Sequence, residues 1–221
     1  MTVKNVKVND PGSAITHLIG TLMAVLAATP LLIKAAGQPS AIHLISLGVF
    51  ILSMILLYTA STVYHTFGKS EKVHLLLKKF DHMAIYVLIA GTYTPICVIA
   101  LGGRSGLILL VLIWGLALIG IAVTGIWVLC PKWFSSIVYI AMGWACVLAF
   151  TQLINSLPTA AFQWLLAGGI IYTVGGIIYA LKLPIFNNRH KYFGSHEIFH
   201  LFVMGGSFCH FMLMYQYISV M

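Results

Sequence analysis

Three histidines stand out in a chain that is 61% hydrophobic and only 7% charged. The stretch SHEIFHLFVMGGSFCH, residues 195–210, holds His196 and His200 four positions apart, so a helix would present both on one face. A third histidine, His65, ends the segment STVYH, four positions after Ser61. Three imidazoles with an open fourth position are the ligand set of a catalytic zinc site. The residue types and spacing therefore predict that His65, His196 and His200 bind Zn²⁺.

Two further polar side chains are predicted beside this metal, Asp81 and Ser61. Asp81 lies in the segment KKFDHMAIYV and is expected to orient a histidine or to hold a metal-bound water, and to accept a proton during catalysis. Ser61 precedes His65 by one helical turn and is expected to hydrogen-bond a substrate carbonyl or the water. Both are predicted to be catalytic. The alternative is a set of interhelical polar contacts without a metal, because intramembrane polar groups usually face one another or a wet cavity.

The other histidines are predicted to lie away from the metal. His210 follows His200 by ten residues, about 15 Å along a helix, and is expected to bond a neighbouring carbonyl. His82 points about 100° away from Asp81 on a helix and is left out of the site. Two roles stay open for His17, lining the same cavity or making a structural hydrogen bond. Solvated positions at helix ends or in loops are expected for His43, His74 and His190.

Seven apolar stretches must position these side chains. A chain of 221 residues cannot hide this much apolar surface from water, and a membrane-spanning helix needs about 20 apolar residues. The pattern predicts an all-α membrane protein with seven transmembrane helices, forming one domain over residues 1–221 in the cell membrane. The predicted spans are 14–34, 41–64, 82–101, 106–129, 133–154, 161–181 and 197–219.

The basic residues predict the orientation of these helices. If the N-terminus is cytoplasmic, only Lys34 and Arg104 among the twelve lysines and arginines lie outside, which is a strong positive-inside signal. The N-terminus is therefore expected in the cytoplasm and the C-terminus outside, with the polar cluster near the cytoplasmic leaflet. The net charge of +8 is then a topology signal and a means of contacting anionic lipids, and no nucleic-acid partner is expected. The four cysteines lack paired spacing and are expected to pack without disulfides.

The segments STVYH, DHMAIYVLIAGTYTP and SHEIFHLFVMGGSFCH together resemble the hemolysin III family, within the superfamily of progestin and adiponectin receptors. The resemblance covers essentially the whole chain, including SAITHLIG in the first helix. It implies a zinc ion held by His65, His196 and His200, with Asp81 and Ser61 in the site. Members of the family are described as zinc-dependent lipid amidases or, for some bacterial members, as cytolysins.

The entry to the first helix departs from the family pattern. Bacterial members usually have paired glutamates and an asparagine there, whereas this chain reads NDPGSAITH. Asp10 can replace one acid and Ser13 the asparagine, and the role of the segment stays open.

Two classes of function follow from these features. The first is a membrane-embedded zinc hydrolase that acts on a lipid-like amide or ester, with membrane lipids as its partners. The alternative is a pore-forming or membrane-perturbing protein, or a sensor of the membrane state, with structural zinc. HEIFH also matches the H-E-x-x-H motif of zinc proteases, which would make Glu197 a general base, but no second acidic ligand motif is evident. A proton-shuttle role for Glu197 in another hydrolase stays open.

Overall fold

A computed structural model of the chain describes residues 9–67, 70–181 and 194–221. Within these residues seven helices are long and apolar enough to cross a membrane. They are α1 (Pro11–Ala36), α2 (Ala41–Thr66), α3 (Glu71–Leu101), α4 (Gly103–Ile126), α5 (Lys132–Ser156), α6 (Thr159–Leu181) and α7 (Ser195–Val220). The all-α class with seven spans is confirmed, and the chain is a multi-pass membrane protein. Between the sixth and seventh predicted spans, residues 182–193 lie outside the described residues.

The start of α3 differs from the prediction, since the helix begins at Glu71 and not at residue 82. The Ser70 hydroxyl accepts a hydrogen bond from the Val73 amide at 3.3 Å, and Glu71 places a carboxylate in the first turn, where the helix dipole favours it. The lysines of this charged run do not break the helix, and the ammonium group of Lys79 donates to the Gly125 carbonyl at 2.6 Å. Asp81 therefore lies well inside α3.

The fifth span was predicted as continuous but is interrupted by a 3₁₀ segment, Trp144–Ala149. The hydroxyl of Tyr93 compensates for the break. It donates to the Gly143 carbonyl at 2.6 Å and accepts from the Cys146 amide at 2.9 Å. The Gly143 carbonyl and the Cys146 amide at the interruption thereby have a side-chain hydrogen-bond partner and do not depend on water.

The helices form a ring around a central cavity. Helices adjacent in sequence pack together, and α7 packs against both α6 and α1, which closes the ring. The described residues that line the cavity come from α1, α2, α3, α5, α6 and α7, while α4 packs against α3. Large apolar side chains such as Leu26 and Ile126 are exposed on the outer surface, as expected for contact with lipid.

Candidate metal centre

The structure brings the three predicted histidines together at one end of the bundle. His65 lies in the last turn of α2, and His196 and His200 lie in the first turns of α7. One ring nitrogen from each lies within 4.8 Å of those of the other two, and the Nε2 atoms of His65 and His196 are 3.2 Å apart. Tetrahedral zinc with Zn–N bonds of about 2.0–2.1 Å separates ligand nitrogens by about 3.4 Å. The histidine triad is therefore arranged so that it could hold one metal ion.

Asp10 fixes the orientation of His65. The Nδ1 of His65 lies 3.2 Å from Oδ2 of Asp10, and the Asp10 amide donates to the His65 carbonyl at 3.1 Å. A carboxylate on Nδ1 leaves Nε2 as the ligand nitrogen, an arrangement common among metal-binding histidines. Sequence reasoning left the role of Asp10 open and expected Asp81 either to orient a histidine or to hold a metal-bound water. The signal that could have found Asp10 is its position directly before α1, at the level of the triad.

His200 is oriented by Thr16, which sequence reasoning missed. Nδ1 of His200 lies 3.1 Å from the Thr16 hydroxyl, and that hydroxyl also donates to the carbonyl of Ser13 at 3.0 Å. Because the hydroxyl hydrogen is used for the backbone, its oxygen can accept from Nδ1–H. The Nε2 of His200 is then free for the triad. By contrast, Nδ1 of His196 is buried without a hydrogen-bond partner among the described residues.

Asp81 and Ser61 lie on the cavity wall beside the triad. Both are buried, and the Ser61 hydroxyl oxygen has no hydrogen-bond partner among the described residues. Asp81 makes no hydrogen bond to the triad in the described part of the chain, and its Oδ2 lies 3.8 Å from Nδ1 of His82. His82 was left out of the site, yet it also lines the cavity, with Nδ1 donating to the Lys78 carbonyl at 2.8 Å. Asp81 is thus positioned towards the cavity and Asp10 towards the histidine.

Glu197 is engaged in structural contacts through both carboxylate oxygens. Oε1 accepts from the Ser13 hydroxyl at 2.6 Å, and Oε2 accepts from the Gly194 amide at 2.7 Å. The first contact ties α7 to α1, and the second caps the start of α7. A carboxylate held on both oxygens is poorly placed as the general base of an H-E-x-x-H protease.

The other two histidines of interest, His17 and His210, lie at different depths of the cavity. His17 is buried on the wall next to the triad, which is one of the two roles left open for it. His210 donates from Nδ1 to the Gly206 carbonyl at 2.8 Å, as predicted. It also packs against Gly168 of α6, where a Cβ atom would collide with its ring.

The cavity has a volume of about 470 Å³ and two chemically different ends. From the triad it extends to His210, and the helix between His196 and His210 is about 21 Å long. The charged side chains described on its wall all lie at the end of the cavity that holds the triad: Asp10, Lys78, Asp81, Lys132 and Glu197. Further along, the wall is mostly apolar and aromatic, with residues such as Ile85, Leu88 and Trp144. This shape suits a ligand with a polar group and a long apolar part.

Comparison with known proteins finds related sequences that match most of the chain. The family model described as Haemolysin-III related matches residues 5–211. The chain is 43% identical over 195 residues to the Hemolysin-3 homolog of Bacillus subtilis (strain 168), covering 88% of this chain and 87% of that protein. It is 41% identical over 196 residues to Hemolysin-3 of Bacillus cereus, covering 88% and 85%. A more distant similarity, 24% over 220 residues, links it to the Adiponectin receptor protein of Drosophila melanogaster, covering 91% of this chain and 49% of that protein.

Proposed function

Because the chain belongs to the haemolysin-III-related family of membrane proteins, we propose that it is a zinc-dependent hydrolase of a lipid amide or ester. One observation carries this proposal. Three imidazoles converge at the polar end of a cavity whose remaining wall is mostly apolar and aromatic, so a lipid that fills the cavity would have its polar linkage next to the triad. We further propose that this end faces the cytoplasmic leaflet, in line with the distribution of basic residues.

The donor set fits zinc. His65, His196 and His200 would hold the ion, since one ring nitrogen of each converges on a common point and the Nε2 atoms of His65 and His196 are 3.2 Å apart. Imidazole ligands with no thiolate and an open position match catalytic zinc sites. When bound, zinc supplies Lewis acidity, which polarises a carbonyl group and makes water a better nucleophile.

Asp81 and Ser61 would supply the remaining chemistry. The Asp81 carboxylate would accept the proton of the attacking water and return it to the leaving amine or alcohol. The Ser61 hydroxyl, which has no partner in the described residues, would donate a hydrogen bond to the carbonyl oxygen as negative charge develops there. Burial of both groups keeps bulk water away from them, which strengthens these interactions.

Membrane lysis is the second candidate, since a relative from Bacillus cereus bears the name Hemolysin-3. A conducting path requires polar groups along the whole bilayer thickness. Among the described residues, the charged side chains of the cavity lie only at the end that holds the triad. This favours a reaction at that end over conduction of ions through the bundle.

A lipid hydrolysis assay distinguishes the two candidates. Zinc-loaded wild type and Asp81→Ala are incubated in bilayers of extracted native lipids, and released fatty acid is measured by mass spectrometry while dye leakage is followed in the same samples. We expect fatty acid from the wild type and little from Asp81→Ala, which should retain zinc because Asp81 makes no hydrogen bond to the triad in the described residues. Leakage from the wild type without any released product would refute the hydrolase.

A further inference from the structure

His17 is a buried imidazole whose ring nitrogens have no hydrogen-bond partner within the described part of the chain. Its exposed fraction is 3%, it lines the cavity, and neither Nδ1 nor Nε2 makes a hydrogen bond in the described residues. Its ring stacks on that of His200, with centroids 3.6 Å apart and planes 10° from parallel. Polar groups left unpaired in a buried position are costly, so such a group next to a binding cavity points to a missing partner.

The stacking geometry argues against His17 as a fourth metal ligand. The lone pair of an imidazole nitrogen lies in the plane of the ring, so two parallel stacked rings direct their lone pairs along parallel planes and not towards one point. In agreement, the set of converging ligand nitrogens contains His200 and not His17. His17 would have to leave the stack in order to bind the ion held by its neighbour.

The same geometry places His17 within reach of a ligand that binds beside the triad. A group that binds beside His200, on the side where His17 stacks, would lie closer to the plane of the His17 ring than the metal ion does. A neutral imidazole can donate one N–H in that plane. We infer that His17 donates a hydrogen bond to the polar group of the substrate or product at the triad and so positions the scissile linkage. This inference rests on the proposed metal centre.

The chain offers a matched control in His43. Both ring nitrogens of His43 are also buried and lack a partner among the residues that the structure describes, although the sequence predicted His43 to be solvated. It lies at the opposite end of α2 from His65, about 33 Å away along the helix, and does not line the cavity described above. Replacement of His43 therefore shows the effect of removing a histidine with buried ring nitrogens that lies away from the cavity.

The variant His17→Phe retains a planar ring for the stack on His200 but removes both nitrogens. His17→Asn and His17→Gln restore an amide N–H near the positions of Nδ1 and Nε2. His43→Phe serves as the control. Each protein is loaded with Co²⁺ in detergent, its visible d–d spectrum is recorded, and the spectral change on titration with acetohydroxamate gives the Kd of that probe.

We expect His17→Phe to bind Co²⁺ like the wild type, with the same spectrum before the probe is added. Its Kd for acetohydroxamate should rise by about tenfold or more, the effect of losing a hydrogen bond to a charged group. At least one of the amide variants should recover most of the affinity, and His43→Phe should match the wild type. His17→Leu provides the same comparison if His17→Phe does not fold.

Three results would overturn the inference. Equal acetohydroxamate affinity in His17→Phe and the wild type would make His17 a packing residue only. Weaker Co²⁺ binding with an altered spectrum in His17→Phe would make it a ligand. A wild type that binds no Co²⁺ would contradict the metal centre itself, a failure that is distinct from an unchanged affinity for the probe.

Discussion

Asp10 and His65 are joined at two points, once through their side chains and once through their backbones. Oδ2 lies 3.2 Å from Nδ1, and the Asp10 amide donates to the carbonyl of His65 at 3.1 Å. The His65 side chain is 2% exposed, whereas that of Asp10 is 56% exposed. The carboxylate therefore orients a buried ring while it remains largely hydrated, which avoids most of the desolvation cost of a buried charge.

Removal of this carboxylate should weaken the metal site without abolishing it. We expect Asp10→Ala to lower zinc affinity about 10–100-fold, because His65 loses the partner that fixes its tautomer and orientation. Asp10→Asn should lose less, since its side-chain oxygen can still accept from Nδ1–H. Competition with a chromophoric chelator measures the affinities, and Glu71→Ala, which removes an acid in the first turn of α3, is the control. Unchanged affinity in Asp10→Ala would contradict the orienting role.

Glu197 provides a test against the protease hypothesis. In Glu197→Gln the amide oxygen can accept from the Gly194 amide while the amide NH₂ donates to the Ser13 hydroxyl, so hydrolysis of the lipid substrate should stay close to the wild-type rate. Loss of a general base would instead lower the rate about 10²–10⁴-fold. Product release by both proteins in the bilayer assay is the measurement, and a loss of that size would place Glu197 in the chemistry.

The contact between α6 and α7 depends on Gly168. A Cβ atom there would collide with the His210 ring, whereas one at the adjacent Gly169 would meet only Trp144 at 4.0 Å. We expect Gly168→Ala to destabilise the protein by about 1–3 kcal/mol through overpacking, and Gly169→Ala to have little effect. Thermal unfolding in detergent compares the two variants. Equal melting temperatures would show that the helices can separate at this point without cost.

The orientation of the bundle can be tested with single cysteines in a variant whose four native cysteines are replaced. Lys69→Cys and Lys191→Cys should react with a membrane-impermeant maleimide only from the cytoplasmic side. A cysteine appended after Met221 should react only from outside. These expectations follow from the distribution of basic residues. Reaction of Lys69→Cys from outside would place the triad at the outer leaflet.

The ligand residues and the fold were predictable because each depends on a short-range signal. Hydropathy defines helices of the right length, and the four-residue spacing of His196 and His200 defines a shared face. The alternation of helix directions then brings His65 to the same end of the bundle as this pair. The role of His210 was likewise predictable from its distance along α7.

The residues that orient the ligands were not predictable in the same way. Asp10 and Thr16 meet His65 and His200 only because α1 packs beside α2 and α7, a relationship that no spacing in the sequence reports. The interruption of α5 was missed because its residues are apolar and only the hydroxyl of Tyr93 compensates for it. Asp81 was predicted either to orient a histidine or to hold a metal-bound water, and the geometry gives the first of these roles to Asp10.

The zinc content of purified variants tests the metal centre most directly. Wild type, His65→Ala, His196→Ala, His200→Ala and His210→Ala are purified in parallel, and the metal is measured by inductively coupled plasma mass spectrometry. We predict about one zinc per chain in the wild type and in His210→Ala, and loss of most of it in each triad variant, as a three-histidine site requires. Equal zinc in the wild type and all three triad variants, or equal loss in His210→Ala, would contradict a metal centre formed by His65, His196 and His200.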